Sequence, residues 1–152
     1  MNFLKIVATT FLAVSFFASA ASESHSQIGQ LSSSIRSMLE QEYDKFVIVE
    51  IPKTRNYFQY AAEDNGAYIF DVPVMSLTPD QNQRAVVFFS SRGIGVTSVK
   101  ATNFETMESF TLESYQKLYK GDDAKGGASM GINFMIEVLQ YTDEITIIEG
   151  WQ

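Results

Sequence analysis

Three consecutive β-type segments, separated by turn signals, constrain the fold of this chain more than any other feature. Residues 46–51, 57–62 and 67–72 are rich in aromatic and β-branched side chains, a composition typical of strands. Asn65 and Gly66 stand between the second and third segments, and this pair tolerates the positive φ angles of a tight hairpin. The three segments are therefore predicted to form an antiparallel meander.

The segment after the meander begins with the strongest local signal in the chain. Thr78 precedes a proline and lies three residues before Gln81. In this arrangement the threonine oxygen can accept from the Gln81 amide, while the glutamine side chain reaches back to the threonine amide. A helix over residues 79–91 is therefore predicted, with Arg92 near its carbonyl end and Gly93 as its stop.

The other elements follow from changes in hydrophobic periodicity. In chain order they are a helix over residues 26–43, strands over residues 94–101 and 108–119, a loop over residues 121–127, a helix over residues 128–141 and a terminal strand over residues 145–148. Residues 104–119 also fit helical steps, but their threonine and aromatic content favours a strand. The whole pattern predicts an α+β fold: an antiparallel sheet of about five strands plus a short C-terminal strand, with helices packed on one face and the order α-β-β-β-α-β-β-α.

The N-terminus has the layout of a secretory signal peptide. Lys5 precedes an apolar run over residues 6–17, and small residues follow at positions 18–20. The run is shorter than the ~20 residues that a membrane-spanning helix needs. We therefore expect cleavage after Ala20 and a single exported domain over residues 21–152, either periplasmic or fully secreted. The alternative is an uncleaved N-terminal anchor, against which the small residues at the end of the run argue.

Net charge and cysteine content exclude several classes of partner and site. The chain has a formal net charge of −7, which becomes −8 once Lys5 leaves with the leader. An acidic balance of this size argues against nucleic acid and anionic membrane surfaces as partners. The chain contains no cysteine, which excludes disulfides, thiol nucleophiles and thiolate metal sites.

Few side chains in this sequence are suited to catalysis. His25 is the single histidine and lies in a segment expected to form a solvated tail, so histidine-dependent triads are excluded. The carboxylates Glu50 and Asp71 are the pair that a hydrolase would use. Adjacent acidic residues elsewhere are interpreted as turn formers. We predict no catalytic residue, no metal site and no cofactor.

Short motifs across most of the chain resemble the superfamily with the type III secretion chaperone fold, in particular TY-Chap and YbjN-like domains. The matching pieces are residues 57–61 in the second strand, Leu77-Thr78 with Gln81 at the start of the central helix, Gly93 at its end, and Glu137-Val138-Leu139 in the last helix. The resemblance implies the α-β-β-β-α-β-β-α order and a role in binding other proteins rather than in catalysis. It implies no catalytic residues.

Aromatic side chains are the one unusual feature with potential for binding. Alternation along the strands should turn one set toward the helices and the other outward, and outward aromatic groups usually mark a partner surface. We expect Tyr57, Tyr60, Tyr68 and Trp151 to contact a partner. The competing interpretation places most of the aromatic rings in the core or in cross-strand pairs.

These observations favour a non-enzymatic, chaperone-like domain whose partner is a protein or peptide, with a second copy of the chain among the candidates. The first alternative is a small-molecule-binding or sensory domain with a pocket between the sheet and the helices. The second is a hydrolase that uses Glu50 and Asp71.

Overall fold

The computed structural model of the protein describes residues 23–103 and 106–151. The elements are helix α1 (residues 23–40), strands β1 (Phe46–Glu50), β2 (Tyr57–Ala62) and β3 (Tyr68–Pro73), a 3-10 turn (Val74–Ser76), helix α2 (Pro79–Ser90), strands β4 (Val96–Thr102) and β5 (Ser109–Tyr119), helix α3 (Ala124–Phe134) with a π-helical continuation (Met135–Leu139), and strand β6 (Thr146–Glu149). The predicted leader and its cleavage site lie outside the described residues.

All six strands join one antiparallel sheet in the order β4-β5-β3-β2-β1-β6. The three helices lie on one side of this sheet. The predicted fold class is therefore confirmed, including the meander and the C-terminal strand. The ambiguous segment before Tyr119 forms the long strand β5, as its β-branched and aromatic content indicated.

The start and the end of α2 confirm the capping signals. The Gln81 amide donates to the Thr78 hydroxyl at 3.3 Å, and the Thr78 amide donates to the Gln81 side chain at 2.9 Å. At the other end, Arg92 donates to the Phe88 carbonyl, and Gly93 has a positive φ of 70°, a conformation that glycine adopts without strain.

The start of α3 differs from the prediction of a loop over residues 121–127. The helix begins at Ala124, because the Asp123 side chain accepts from the Gly126 amide at 3.0 Å and so caps the first turn. Two of its glycines are sites of close approach: a side chain at Gly127 would clash with the Tyr68 hydroxyl, and one at Gly131 would clash with the Tyr60 hydroxyl and the Phe58 ring. The glycines allow α3 to contact the sheet, and they do not break the helix.

Aromatic rings fill the space between the sheet and the helices. Phe89 of α2 stacks on Tyr115 of β5 with 4.4 Å between ring centroids, and it also packs against Phe134 of α3 and Phe70 of β3. These four rings are almost completely buried. The space in which the small-molecule alternative placed its pocket is thus core. Within the described part of the chain, no helix is both long and apolar enough to cross a membrane.

Candidate functional site

Tyr60 and Tyr68, two of the expected contact residues, are core residues. Both side chains are fully buried, so the expectation that they project outward is wrong. Tyr60 donates to the Gly127 carbonyl at 3.0 Å, and Tyr68 donates to the Asp123 carbonyl at 2.7 Å. Alternation explains the placement: Tyr60 shares its face of β2 with Phe58, and both face the helices.

The other two expected contacts lie far apart. Tyr57 is partly exposed at one end of β1–β2, where it pairs with Glu50. Trp151 follows β6 near the opposite end, where the Gly150 amide donates to the Phe46 carbonyl, and its ring packs partly against the core. The structure therefore does not bring the four predicted residues together in one site.

The sheet face opposite the helices, called here the open face, carries a polar ladder at its centre. The strand register places Gln59 of β2 and Gln116 of β5 on either side of Asp71 of β3. The Nε2 atom of each glutamine donates to a different Asp71 carboxylate oxygen, both at 2.9 Å. Asp71 is only 8% exposed, so these two amides replace much of the water that a free carboxylate would bind.

Two hollows adjoin this ladder. The first, of about 280 Å³, is lined by ladder residues together with Tyr57 and Pro73. The second, of about 420 Å³, extends along β5 toward Phe110. Both contain Met75 and Leu112, so they form one continuous surface. Exposed apolar side chains surround it: Met75, Val99, Phe110 and Leu112.

The electrostatic character of this surface is acidic. Of the described residues that line the two hollows, Asp71 and Glu113 are charged, and none is lysine or arginine. Strand alternation puts the Glu113 side chain on the same face as Tyr115, so among these lining residues Asp71 supplies the negative charge on the open face. The pKa of Tyr57 is raised, chiefly because partial burial disfavours the phenolate and secondly because the Asp71 charge repels it. The negative field of Asp71 thus extends into the first hollow.

A larger groove, of about 590 Å³, lies along α2 on the helix side of the molecule. Both arginines that line it, Arg84 and Arg92, already have partners in the fold. Arg84 donates to the Val138 carbonyl at 2.7 Å, and Arg92 lies over the Phe88 ring and pairs with Glu137 at 3.3 Å. These contacts attach α2 to the end of α3. We therefore interpret this groove as part of the packing interface between the two helices.

The two carboxylates of the hydrolase alternative lie on different strands, Glu50 on β1 and Asp71 on β3. Asp71 is engaged by two amides, whereas Glu50 is exposed near the end of β1, opposite Tyr57. His25 lies on the exposed side of α1, not in a tail. Among residues 23–103 and 106–151, no three histidine or acidic side chains cluster in a way that could hold a metal ion.

The glutamine–aspartate ladder was not recognised in the sequence, although one signal was present. An aspartate within an apolar strand is unusual, and Asp71 interrupts the run Tyr68-Ile69-Phe70 and Val72. Its two partners are 12 and 45 residues away, so only the strand register identifies them. Comparison with known proteins adds no assignment, since no family model, curated protein or solved structure matches this chain.

Proposed function

We propose that this chain is an exported, non-enzymatic protein-binding domain with a chaperone-like role, which holds a polypeptide segment on its open face. The observation that carries the proposal is the apolar surface around the two hollows. Met75 is 74% exposed, and three further apolar side chains of β4 and β5 are also exposed beside it. Contiguous apolar surface of this kind usually marks a site of protein interaction.

The resemblance to type III secretion chaperone-like domains supports the same role. Its element order, α-β-β-β-α-β-β-α, agrees with the order of helices and strands described above. The signal-peptide layout of the first 20 residues supports export to the periplasm or beyond. Under this proposal the acidic surface keeps the free domain soluble.

A second candidate function is the binding of a small molecule, and the observation that favours it is the hollow beside Tyr57 and Asp71. Its volume of about 280 Å³ is close to the ~300 Å³ lower limit of ligand pockets. A ligand that binds only the folded state raises the melting temperature. Thermal shift of the mature protein against a small-molecule panel therefore separates this candidate from peptide binding.

The direct test compares peptide binding by two matched variants of the mature protein, residues 21–152. Met75→Glu places a charge on the open face, and Val87→Glu places the same charge on α2, where Val87 is 69% exposed. Because both positions are exposed, each variant should keep its stability within about 0.5 kcal/mol. We expect Met75→Glu to weaken binding of apolar peptides at least tenfold, as measured by fluorescence anisotropy, and Val87→Glu to leave it unchanged.

Equal binding by all three proteins would contradict the assignment to the open face, and loss only in Val87→Glu would move the site to the α2 groove. Sedimentation of the same variants tests a second copy as the occupant. In that case the wild-type protein self-associates and Met75→Glu is monomeric.

A further inference from the structure

We propose that the segment bound by the open face is apolar and carries a lysine or arginine, whose cationic group lies against the Asp71 carboxylate. This inference rests on the proposed function, because it specifies the chemistry of the polypeptide held on the same surface.

The first argument is the uncompensated charge of Asp71. Each of its oxygens accepts one amide hydrogen bond, whereas a carboxylate offers about four acceptor positions. Neutral amides solvate the charge but do not cancel it, and a buried carboxylate without a cation is costly. The ion pair found among the described residues joins Arg92 and Glu137. No lysine, arginine or histidine among them pairs with Asp71.

The second argument is the shape and polarity of the surface that leads to Asp71. The hollows follow β5 from Gln116 to Phe110, a distance of roughly 20 Å for six steps at strand spacing. This length fits an extended segment of about six residues. The side chains along it are mainly apolar and include the Asp71 carboxylate, with no lysine or arginine among the described lining residues, so an apolar segment with one positive charge is complementary to it.

Other cations fit these observations less well. A divalent metal ion requires several oxygen ligands, and the described residues contain no cluster of three acidic or histidine side chains. A small free amine would satisfy Asp71 but would leave the apolar part of the surface, from Met75 to Phe110, uncovered. A basic residue within an apolar segment satisfies both parts.

The test is a double-mutant cycle, in which one charge is removed from the protein and one charge is removed from the peptide. Two eight-residue apolar peptides differ only at the fourth position, which is lysine in one and the uncharged norleucine in the other. Binding to the mature protein is measured by isothermal titration calorimetry. We expect the wild-type protein to prefer the lysine peptide by about 10- to 100-fold, as for a charge-assisted hydrogen bond in a partly desolvated site. Asp71→Asn should bind both peptides about equally.

Glu50→Gln is the matched control, because it removes one exposed negative charge from the same sheet face and should keep the preference. The norleucine peptide reports on folding of Asp71→Asn, since its affinity should equal that of wild type. Equal affinity of wild type for both peptides overturns the inference and leaves the proposed function intact. If neither peptide binds, the proposed function fails as well. If n-butylamine alone binds as tightly as the lysine peptide, the site is one for small amines and the inference is overturned.

Discussion

The buried tyrosines of the sheet join the two layers of the molecule through their hydroxyl groups. Tyr60 and Tyr68 donate to backbone carbonyls at the start of α3, and Tyr115 donates to Asn82 of α2 at 2.9 Å. The rings supply apolar contact area, and each hydrogen bond satisfies a hydroxyl that would otherwise be buried without a partner. The hydroxyl groups of these three tyrosines therefore help to determine where α2 and α3 lie on the sheet.

The buried tyrosines of the sheet, which also include Tyr119 of β5, predict a loss of stability in alkaline solution. Burial raises the pKa of Tyr119 to about 12 and that of Tyr60 well above its usual 10.0. A group with a raised folded-state pKa contributes full stability below its unfolded pKa of 10.0 and loses this contribution as pH rises toward the folded value. We expect stability to fall above pH 10, by up to ~1.4 kcal/mol per pH unit for each such tyrosine.

Absorbance at 295 nm measures tyrosinate, and circular dichroism measures folding in the same titration. We expect part of the tyrosinate signal to appear together with unfolding at high pH. Complete ionisation of all tyrosines near pH 10 in a protein that remains folded would show that these hydroxyl groups are accessible.

At the scale of elements, α3 shows why a glycine-rich segment can form a helix. Gly127 and Gly131 bring the helix backbone against Tyr68, Tyr60 and Phe58, and the contact compensates for the poor helix propensity of glycine. The prediction of a loop over residues 121–127 considered only the poor helix propensity of glycine. Packing against the sheet decided the outcome.

This explanation predicts opposite effects of glycine-to-alanine substitutions in two helices. At Gly131 of α3 a methyl group would clash with the Tyr60 hydroxyl and the Phe58 ring, whereas at Gly29 of α1 it would meet no atom within 4 Å. We expect Gly131→Ala to destabilise the protein by about 1–3 kcal/mol and Gly29→Ala to stabilise it by about 0.5–1 kcal/mol. Urea unfolding measures both, and a stabilised Gly131→Ala would show that the helix can move away from the sheet.

A polar junction connects α2 to the strands. Asn56, which is buried between β1 and β2, donates to the Ser76 carbonyl at 2.6 Å and exchanges hydrogen bonds with the Gln81 side chain. The capping glutamine therefore acts locally on the helix and also links it to the strands. The local part follows from sequence spacing, but the link to Asn56, 25 residues away, does not.

At the scale of the whole molecule, the described fold is a sheet with helices on one side only. The inner face is closed by aromatic packing, and the open face retains a buried carboxylate and exposed apolar groups. This asymmetry places the candidate binding surface on the sheet. It also places the surface on the side of the sheet opposite α1.

Export itself is a prediction for the whole chain. If the signal-peptide interpretation is correct, protein recovered from the periplasm or the medium of an expressing bacterium should begin at Ala21. N-terminal sequencing of the purified protein measures this directly. An intact N-terminus in the membrane fraction would support the alternative of an uncleaved anchor.

The sequence alone was sufficient for features that depend on near neighbours. Periodicity located the strands, the Asn65-Gly66 pair marked a hairpin, and the spacing of Thr78 and Gln81 placed the start of α2. These signals are read within a few residues, because backbone hydrogen bonds, caps and side-chain alternation act over that distance. The fold class followed from their order along the chain.

Tertiary structure decided which strand face is covered and which distant residues meet. It buried Tyr60 and Tyr68, turned the glycines of α3 into contact points, and aligned Gln59 and Gln116 on Asp71. The physical reason is that burial and strand register depend on packing between segments far apart in sequence. Each such contact depends on how neighbouring strands and helices pack, and a pattern within a few residues does not specify it.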